Sequence, residues 1–310
     1  MTMMKAVIVR EYGGPDVLKY EDAPKPTLME GDVLIQVEAA GVNPGEAKIR
    51  QGDFAEYHTL PFILGYDIAG TVAEVARGVV DAAIGDAVYT NCDSARNGGY
   101  AEFVAVRATE VAPRPRSLDA VQAASVPLAG LTAWQALADV AHLTPGQRVL
   151  IHGAGGAVGS FAVQFAKAMG GTVVATASEA DLDYVRGIGA DTIVDYKSQR
   201  FEDFAQDMDV VLDTIGGETG ERSLSVLKPG GLLIATSGPP DTKAAEARGV
   251  RTHFMGVEPN AAQLGQIADL IDSGKVQTRV GLTLPLSEAR QAHERLALGG
   301  TRGKIVLTVG

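Results

Sequence analysis

The stretch "RVLIHGAGGAVGSFAVQFAKAMG", Arg148 to Gly170, constrains the fold more than any other part of the chain. An apolar run breaks into glycines and reopens as a helix. Gly153, Gly156 and Gly159 fall at three-residue spacing, and Ala154, Gly156 and Gly159 equally fit a G-x-G-x-x-G pattern with alanine at its first glycine. Glycine permits the tight turn, a missing side chain lets backbone N–H groups approach a diphosphate, and Gly159 allows close helix–strand packing. Val158, Ala162, Phe165, Ala166 and Met169 recur at three- and four-residue steps, which predicts an apolar stripe facing a sheet while the helix N-terminus faces phosphates. Ala154, Gly155, Gly156, Ala157, Val158 and Gly159 are the expected cradle of a dinucleotide.

The surroundings suit that reading. From Val126 the rhythm is strand then helix, with apolar runs "RVLIHG", "TVVATAS", "DTIVDY", "DVVLDTIGG", "GLLIATSG" and "RTHFMGV". Strands apolar on both faces belong in a parallel sheet covered by helices, and six of them complete a doubly wound α/β sheet of Rossmann type. Before about Ala124 short strands with Gly and Pro punctuation ("KAVIVREYGG", "DVLIQVEAAGV", "DIAGTVAEV", "GDAVYTN", "GYAEFVAV") predict a β-rich unit. "NAAQLGQIADLIDSGK" reads as an amphipathic helix closed by Gly274, and "GGTRGKIVLTVG" as a strand returning to the β-rich part. A chain of 310 residues exceeds the usual size of one core. Two domains are expected, residues 1–124 with 259–310, and 125–258.

Composition excludes some classes. The net charge of −11, with no Lys/Arg-rich run, argues against nucleic acid or another polyanion as partner. The single cysteine, Cys92, excludes an intrachain disulfide and a cysteine-rich zinc site, and it fits a cytoplasmic protein. The N-terminal segment lacks the apolar core of a signal peptide, and no apolar run reaches the roughly 18 residues of a membrane span. His58, His142, His152, His253 and His293 show no metal-ligand spacing, and no metal is expected.

The choice of dinucleotide is read at the end of the second Rossmann strand, about 20 residues past the turn, where NAD sites carry Asp or Glu. Ser178 stands there, small, neutral and able to bond a phosphate oxygen, which favours NADPH. Against it, Glu179 and Asp181 follow at once, while cations appear only at Arg186 and Lys197. Ser178 is equally suited to cap the next helix.

"GGPDVL", "AAGVNPGEAKIRQG", "LGYDIAGTVAEV", "GGYAEFV", "AASVPLAGLTAWQAL", "GAGGAVG", "GADTIVDY", "DVVLDTIGG", "LKPGG" and "GKIVLTV" together resemble the medium-chain dehydrogenase/reductase superfamily. The closest resemblance is to its zinc-independent NADPH:quinone oxidoreductases, and it spans nearly the whole chain. It implies a β-rich GroES-like catalytic domain beside the Rossmann domain, a homodimer paired along "RTHFMGV", and a small-molecule substrate. Zinc enzymes of the superfamily place Cys where this chain has Asn43 and His-Glu where it has Tyr66 and Asp67, so the zinc ligands are missing.

Without a metal to polarise the acceptor, the chemistry must suit a group that takes hydride readily. Quinones qualify first, then enones and 2-alkenals; a non-catalytic NADPH-binding redox sensor is the alternative from another class. By resemblance, Asn43 lies beside the nicotinamide and donates to the acceptor oxygen, or is simply a turn former in "VNPG". Tyr66 is a donor, an aromatic wall or a core residue. Thr132 is assigned to the nicotinamide or its ribose, Tyr196 to the vicinity of the adenosine phosphate. Asp213, Thr214, Ile215, Ser237 and Gly238 end successive strands along the same groove. The tyrosine that serves enoyl-thioester reductases as proton donor is matched by Phe54, with Tyr57 close by, which disfavours acyl thioesters.

Overall fold

The computed structural model describes residues 2–93 and 95–310. The chain forms two compact units. The first comprises Met1–Leu128, Pro259–Asp272 and Thr278–Gly310, the second Ala129–Glu258 and Ser273–Gln277. The division falls after Leu128 rather than after Ala124, because the Leu128 amide donates to Asp67 of the first unit at 2.7 Å. Residues 273–277, expected in the first unit, belong to the second: Gln164 both accepts from and donates to the Gln277 backbone, at 2.8 and 3.1 Å.

In the first unit β1 (Met3–Val9), β2 (Leu18–Pro24) and β4 (Phe62–Ile63) make a small antiparallel sheet in the order β2-β1-β4, with β3 (Asp32–Val42) between them in sequence. β3 is central to the larger sheet. It pairs with β5 (Asp67–Val75) and with β7 (Phe103–Arg107), while β6 (Ala87–Asn91) and β8 (Val111–Pro113) extend the β5 side. Alternating apolar residues put Val33, Ile35 and Val37 of β3 with Ile68 and Val72 of β5 into one core.

The second unit carries β9 (Arg148–Ile151), β10 (Thr172–Ala177), β11 (Thr192–Asp195), β12 (Met208–Asp213), β13 (Leu227–Ala235) and β14 (Arg251–Phe254). All pair in parallel in the order β11-β10-β9-β12-β13-β14. This is the doubly wound α/β sheet read from the sequence. The helix Ala157–Ala168 is buried more widely than a single stripe: Phe161 stacks on Phe165, whose ring also meets Trp134 edge-on at 5.3 Å. The chain then returns to the first unit, where β15 (Val280–Pro285) and β16 (Lys304–Thr308) complete the larger sheet through the β16–β3 pairing. The sequence reading did not foresee β2, β4, β8 or β15. No helix among the described residues is long and apolar enough to cross a membrane.

His152, directly after β9, is buried between the Thr176 and Ser223 hydroxyls, at 3.1 and 2.9 Å. Burial, with Arg222 adding to it against the opposing pull of Asp213, lowers its pKa to about 4 from 6.5. The unfolded chain therefore takes the proton first on acidification. Stability carried by neutral His152 is complete above pH 6.5 and is lost as the pH falls toward 4. Urea titrations across that window should show wild-type stability falling more steeply than that of a His152→Gln variant, by up to about 1.4 kcal/mol per pH unit. Coincident slopes would show that burial does not hold the ring neutral.

Candidate functional site

Parallel pairing brings the carboxyl ends of β11, β10, β9, β12 and β13 to one edge of the sheet. That edge collects Tyr196, Ser178, the glycine turn, Asp213–Ile215 and Ser237–Gly238 in adjacent positions. The strand order reverses between β9 and β12, the point where open α/β sheets take ligands. Gly153 turns the chain at φ +69°. A Cβ on Gly159 would lie 2.3 Å from the Gly153 carbonyl oxygen, so only glycine lets the helix start this close to the strand. Gly156 is the N-cap of the helix and brings no side-chain acceptor. The first-turn amides at 157–159 have no intrahelical partner and carry the positive end of the helix dipole, which suits a diphosphate.

Several expected ligands are spent within the unit. The buried Asp213 carboxylate accepts from the Ile215 and Gly216 amides at 2.9 and 3.0 Å and shapes the turn after β12. The Thr214 hydroxyl donates to the His152 carbonyl, and that of Ser237 to the Thr214 carbonyl. Ser178 caps no helix with its side chain; its hydroxyl donates to Asp181 at 2.9 Å, which withdraws the donor on which the NADPH expectation rested. Thr132 is buried in the helix Pro127–Trp134, and none of the strand ends carries it. Ile215 and Tyr196 are exposed.

Asn43 and Tyr66 belong to a buried polar cluster of the first unit. On adjacent strands, Val306 of β16 faces Gly41 of β3, and Gly41 faces Asp67 of β5. Because Gly41 has no side chain, the Lys304 stem passes over it; a Cβ there would meet Lys304 Cε and Asp67 Cβ, each at 3.0 Å. The Lys304 ammonium thus reaches Asp67 Oδ2 at 2.6 Å and also donates to Asn43 Oδ1. Asp67 is 0% exposed and accepts from the side chains of Asn43 and Asn91 and from the Leu128 amide as well. Asn43 gives its side-chain N–H groups to Glu46 and Asp67, at 3.2 and 3.1 Å. Glu46 also receives the Asn43 and Tyr66 amides and the Tyr100 hydroxyl, the last at 2.6 Å. Burial raises the Glu46 pKa against these hydrogen bonds.

The expectation that Asn43 donates to an acceptor oxygen is therefore corrected: both its N–H groups are engaged, and it is 1% exposed. Tyr66 differs. It is 4% exposed, and its hydroxyl is buried without a hydrogen-bond partner among the described residues. Burial, with the neighbouring Glu46, pushes the phenol pKa up, so the proton stays on. Burial likewise pushes the Cys92 thiol up. Phe54 and Tyr57 are exposed. Sequence reasoning missed Lys304, Glu46, Tyr100 and Asn91; a lysine inside the apolar run "GKIVLTV" was the one available signal.

Residues 29–116 match the family described as alcohol dehydrogenase GroES-like domain, and residues 188–307 that described as zinc-binding dehydrogenase. The chain is 37% identical to the chloroplastic NADPH-dependent alkenal/one oxidoreductase of Arabidopsis thaliana, over 98% of this chain and 79% of that protein. It is 33% identical to the quinone oxidoreductase of Mus musculus, over 98% of both. Among solved structures, the quinone oxidoreductase from Coxiella burnetii superposes with a TM-score of 0.92 at 34% identity, over 100% of both chains. A mycobacterial protein complexed with NADPH gives 0.89 at 30%, over 98% of this chain and 100% of that one. Zinc does not fit the residues present. Among the described residues no three His, Cys, Asp or Glu side chains converge to hold a metal, and Asp67 already receives an ammonium and three further N–H groups.

Two substitutions test these clusters. Lys304→Met leaves Asp67 charged, buried and without its cation, and should cost about 3–5 kcal/mol in urea denaturation. Gly156→Asp supplies its own N-cap carboxylate to the helix amides. It should weaken dinucleotide binding at least about tenfold while the thermal midpoint stays within about 3 °C of wild type.

Proposed function

We propose that this chain, an oxidoreductase of the quinone oxidoreductase-like branch of the medium-chain dehydrogenase/reductase family, reduces quinones with a reduced nicotinamide dinucleotide. The observation that carries the reading is the glycine turn at the strand-order reversal, where a Cβ on Gly159 would strike the Gly153 carbonyl and the helix cap is left without a side chain. The amides of Ala157, Val158 and Gly159 hold the diphosphate, that of Gly156 being donated to the Gly153 carbonyl. When bound, the dinucleotide supplies a hydride. The protein contributes orientation and exclusion of water, which together can lower such a barrier by roughly 7–11 kcal/mol. Tyr66, the residue of the Asn43 cluster with an uncommitted O–H, donates to the acceptor oxygen. Asn43, clamped by Lys304, Asp67 and Glu46, positions the loop that precedes its helix and touches no reactant. Hydride addition leaves a hydroquinone anion, which solvent protonates.

The second reading is reduction of the activated C=C bond of enones and 2-alkenals, supported by the likeness to the Arabidopsis enzyme. The Arabidopsis enzyme is named for NADPH and the mycobacterial protein is complexed with it, whereas the choice between NADPH and NADH in this chain turns on its own residues beside the glycine turn. A homodimer joined along β14, the edge strand of its sheet, is the expected assembly.

Turnover of a reduced dinucleotide should be measured with a panel of small quinones and with an enone, products being identified in each case. The proposal expects quinone reduction to dominate. It also expects Tyr66→Phe to lower kcat about tenfold or more with dinucleotide affinity unchanged. Faster enone reduction would favour the second reading, and binding without turnover of any acceptor would leave a sensor.

A further inference from the structure

The first Rossmann turn and the segment after β10 meet at one point. β10 ends at Ala177, and the 3₁₀ turn Glu179–Asp181 folds the chain back, with the Asp181 amide donating to the Ser178 carbonyl at 2.8 Å. This return brings the Asp181 carboxylate onto the glycine turn itself. A Cβ built on Gly155 would lie 2.8 Å from Asp181 Cγ and 2.9 Å from Oδ2. The Ser178 hydroxyl fixes the same Oδ2 at 2.9 Å. The carboxylate is thus held against the backbone of the diphosphate cradle at the end of the second strand, where doubly wound folds receive the adenosine ribose.

We infer that Asp181, held by Ser178 against Gly155, makes this chain select the dinucleotide with a free ribose 2′-hydroxyl, NADH, over the 2′-phosphorylated NADPH. The inference rests on the reading of the glycine turn as a dinucleotide cradle. A carboxylate accepts hydrogen bonds from ribose hydroxyls and repels a phosphate. Residue 178, at the strand end itself, is a neutral serine; the acid arrives three residues later, because the 3₁₀ turn doubles back. The nearby charges agree. Arg186, the next cation in sequence, pairs with Asp183 at 2.6 Å, and Lys167 pairs with Asp191 at 2.8 Å. Lys197, after the neighbouring β11, lies close enough to Asp195 to join the Ser198 hydroxyl in holding that carboxyl below its usual range. The net charge of −11 supplies no general field to hold an extra phosphate.

The test is fluorescence titration of the full chain with NADH and with NADPH, at low and at moderate salt, for wild type, Asp181→Asn and Asp181→Lys. Wild type should bind NADH at least about tenfold more tightly, about 1.4 kcal/mol. The gap should narrow with added salt, since screening weakens repulsion of the 2′-phosphate. Asp181→Asn should narrow it further by improving NADPH affinity, and Asp181→Lys should reverse the order. Equal or tighter wild-type binding of NADPH, or a ratio unmoved by both substitutions, overturns the assignment of Asp181 while leaving the cradle standing. Failure of either dinucleotide to bind at all overturns the cradle reading and this inference with it.

Discussion

Between Gly153 and Gly159 the backbone of a strand-to-helix turn closes on itself with no room for a side chain. Everything at the carboxyl edge of the six-stranded sheet takes its place from that contact. The close approach seats the helix Ala157–Ala168 against β9, whose neighbour in the sheet is β10. A methyl group at residue 159 would force the helix away from the strand and blunt the amide cradle. The neighbouring polar side chains then have defined tasks: Thr214 ties the turn after β12 to His152, and Asp213 braces the same turn from below the surface.

The first unit depends on a different device, an ionic group sealed inside a sheet. Asp67 without exposure would be costly alone, and it is satisfied by one ammonium, two amide side chains and one backbone amide. Such a network is rigid because each member fixes the others. Asn43 is held through it, and Glu46 links it onward to Tyr100 and His293. Tyr66 stands at its margin with a hydroxyl the network does not use. The cluster thus holds its geometry through committed groups and leaves the Tyr66 hydroxyl uncommitted among the described residues.

Some of this was legible in the chain alone. The strand–glycine–helix grammar around Val149–Gly170 gave the doubly wound sheet, because periodicity and steric limits on glycine are local properties that survive without tertiary context. The unit boundary was legible only approximately, since Leu128 and Gln277 owe their allegiance to hydrogen bonds with Asp67 and Gln164, far away in sequence. The shortest strand, β4, lacked enough residues to show an alternating pattern.

The sequence by itself determined that a dinucleotide-type turn opens a parallel sheet and that cysteine cannot furnish a metal site, because both follow from residue identity and spacing. Only the tertiary structure decided what the polar residues do. Lys304 finds Asp67 across 237 residues because β16, β3 and β5 lie side by side with a glycine between them. Asp181 comes against Gly155 of the glycine turn because a 3₁₀ turn reverses the chain after β10, which no spacing in the sequence announces. Hydrogen bonds and charge act through distance in space, and that distance is set by the fold.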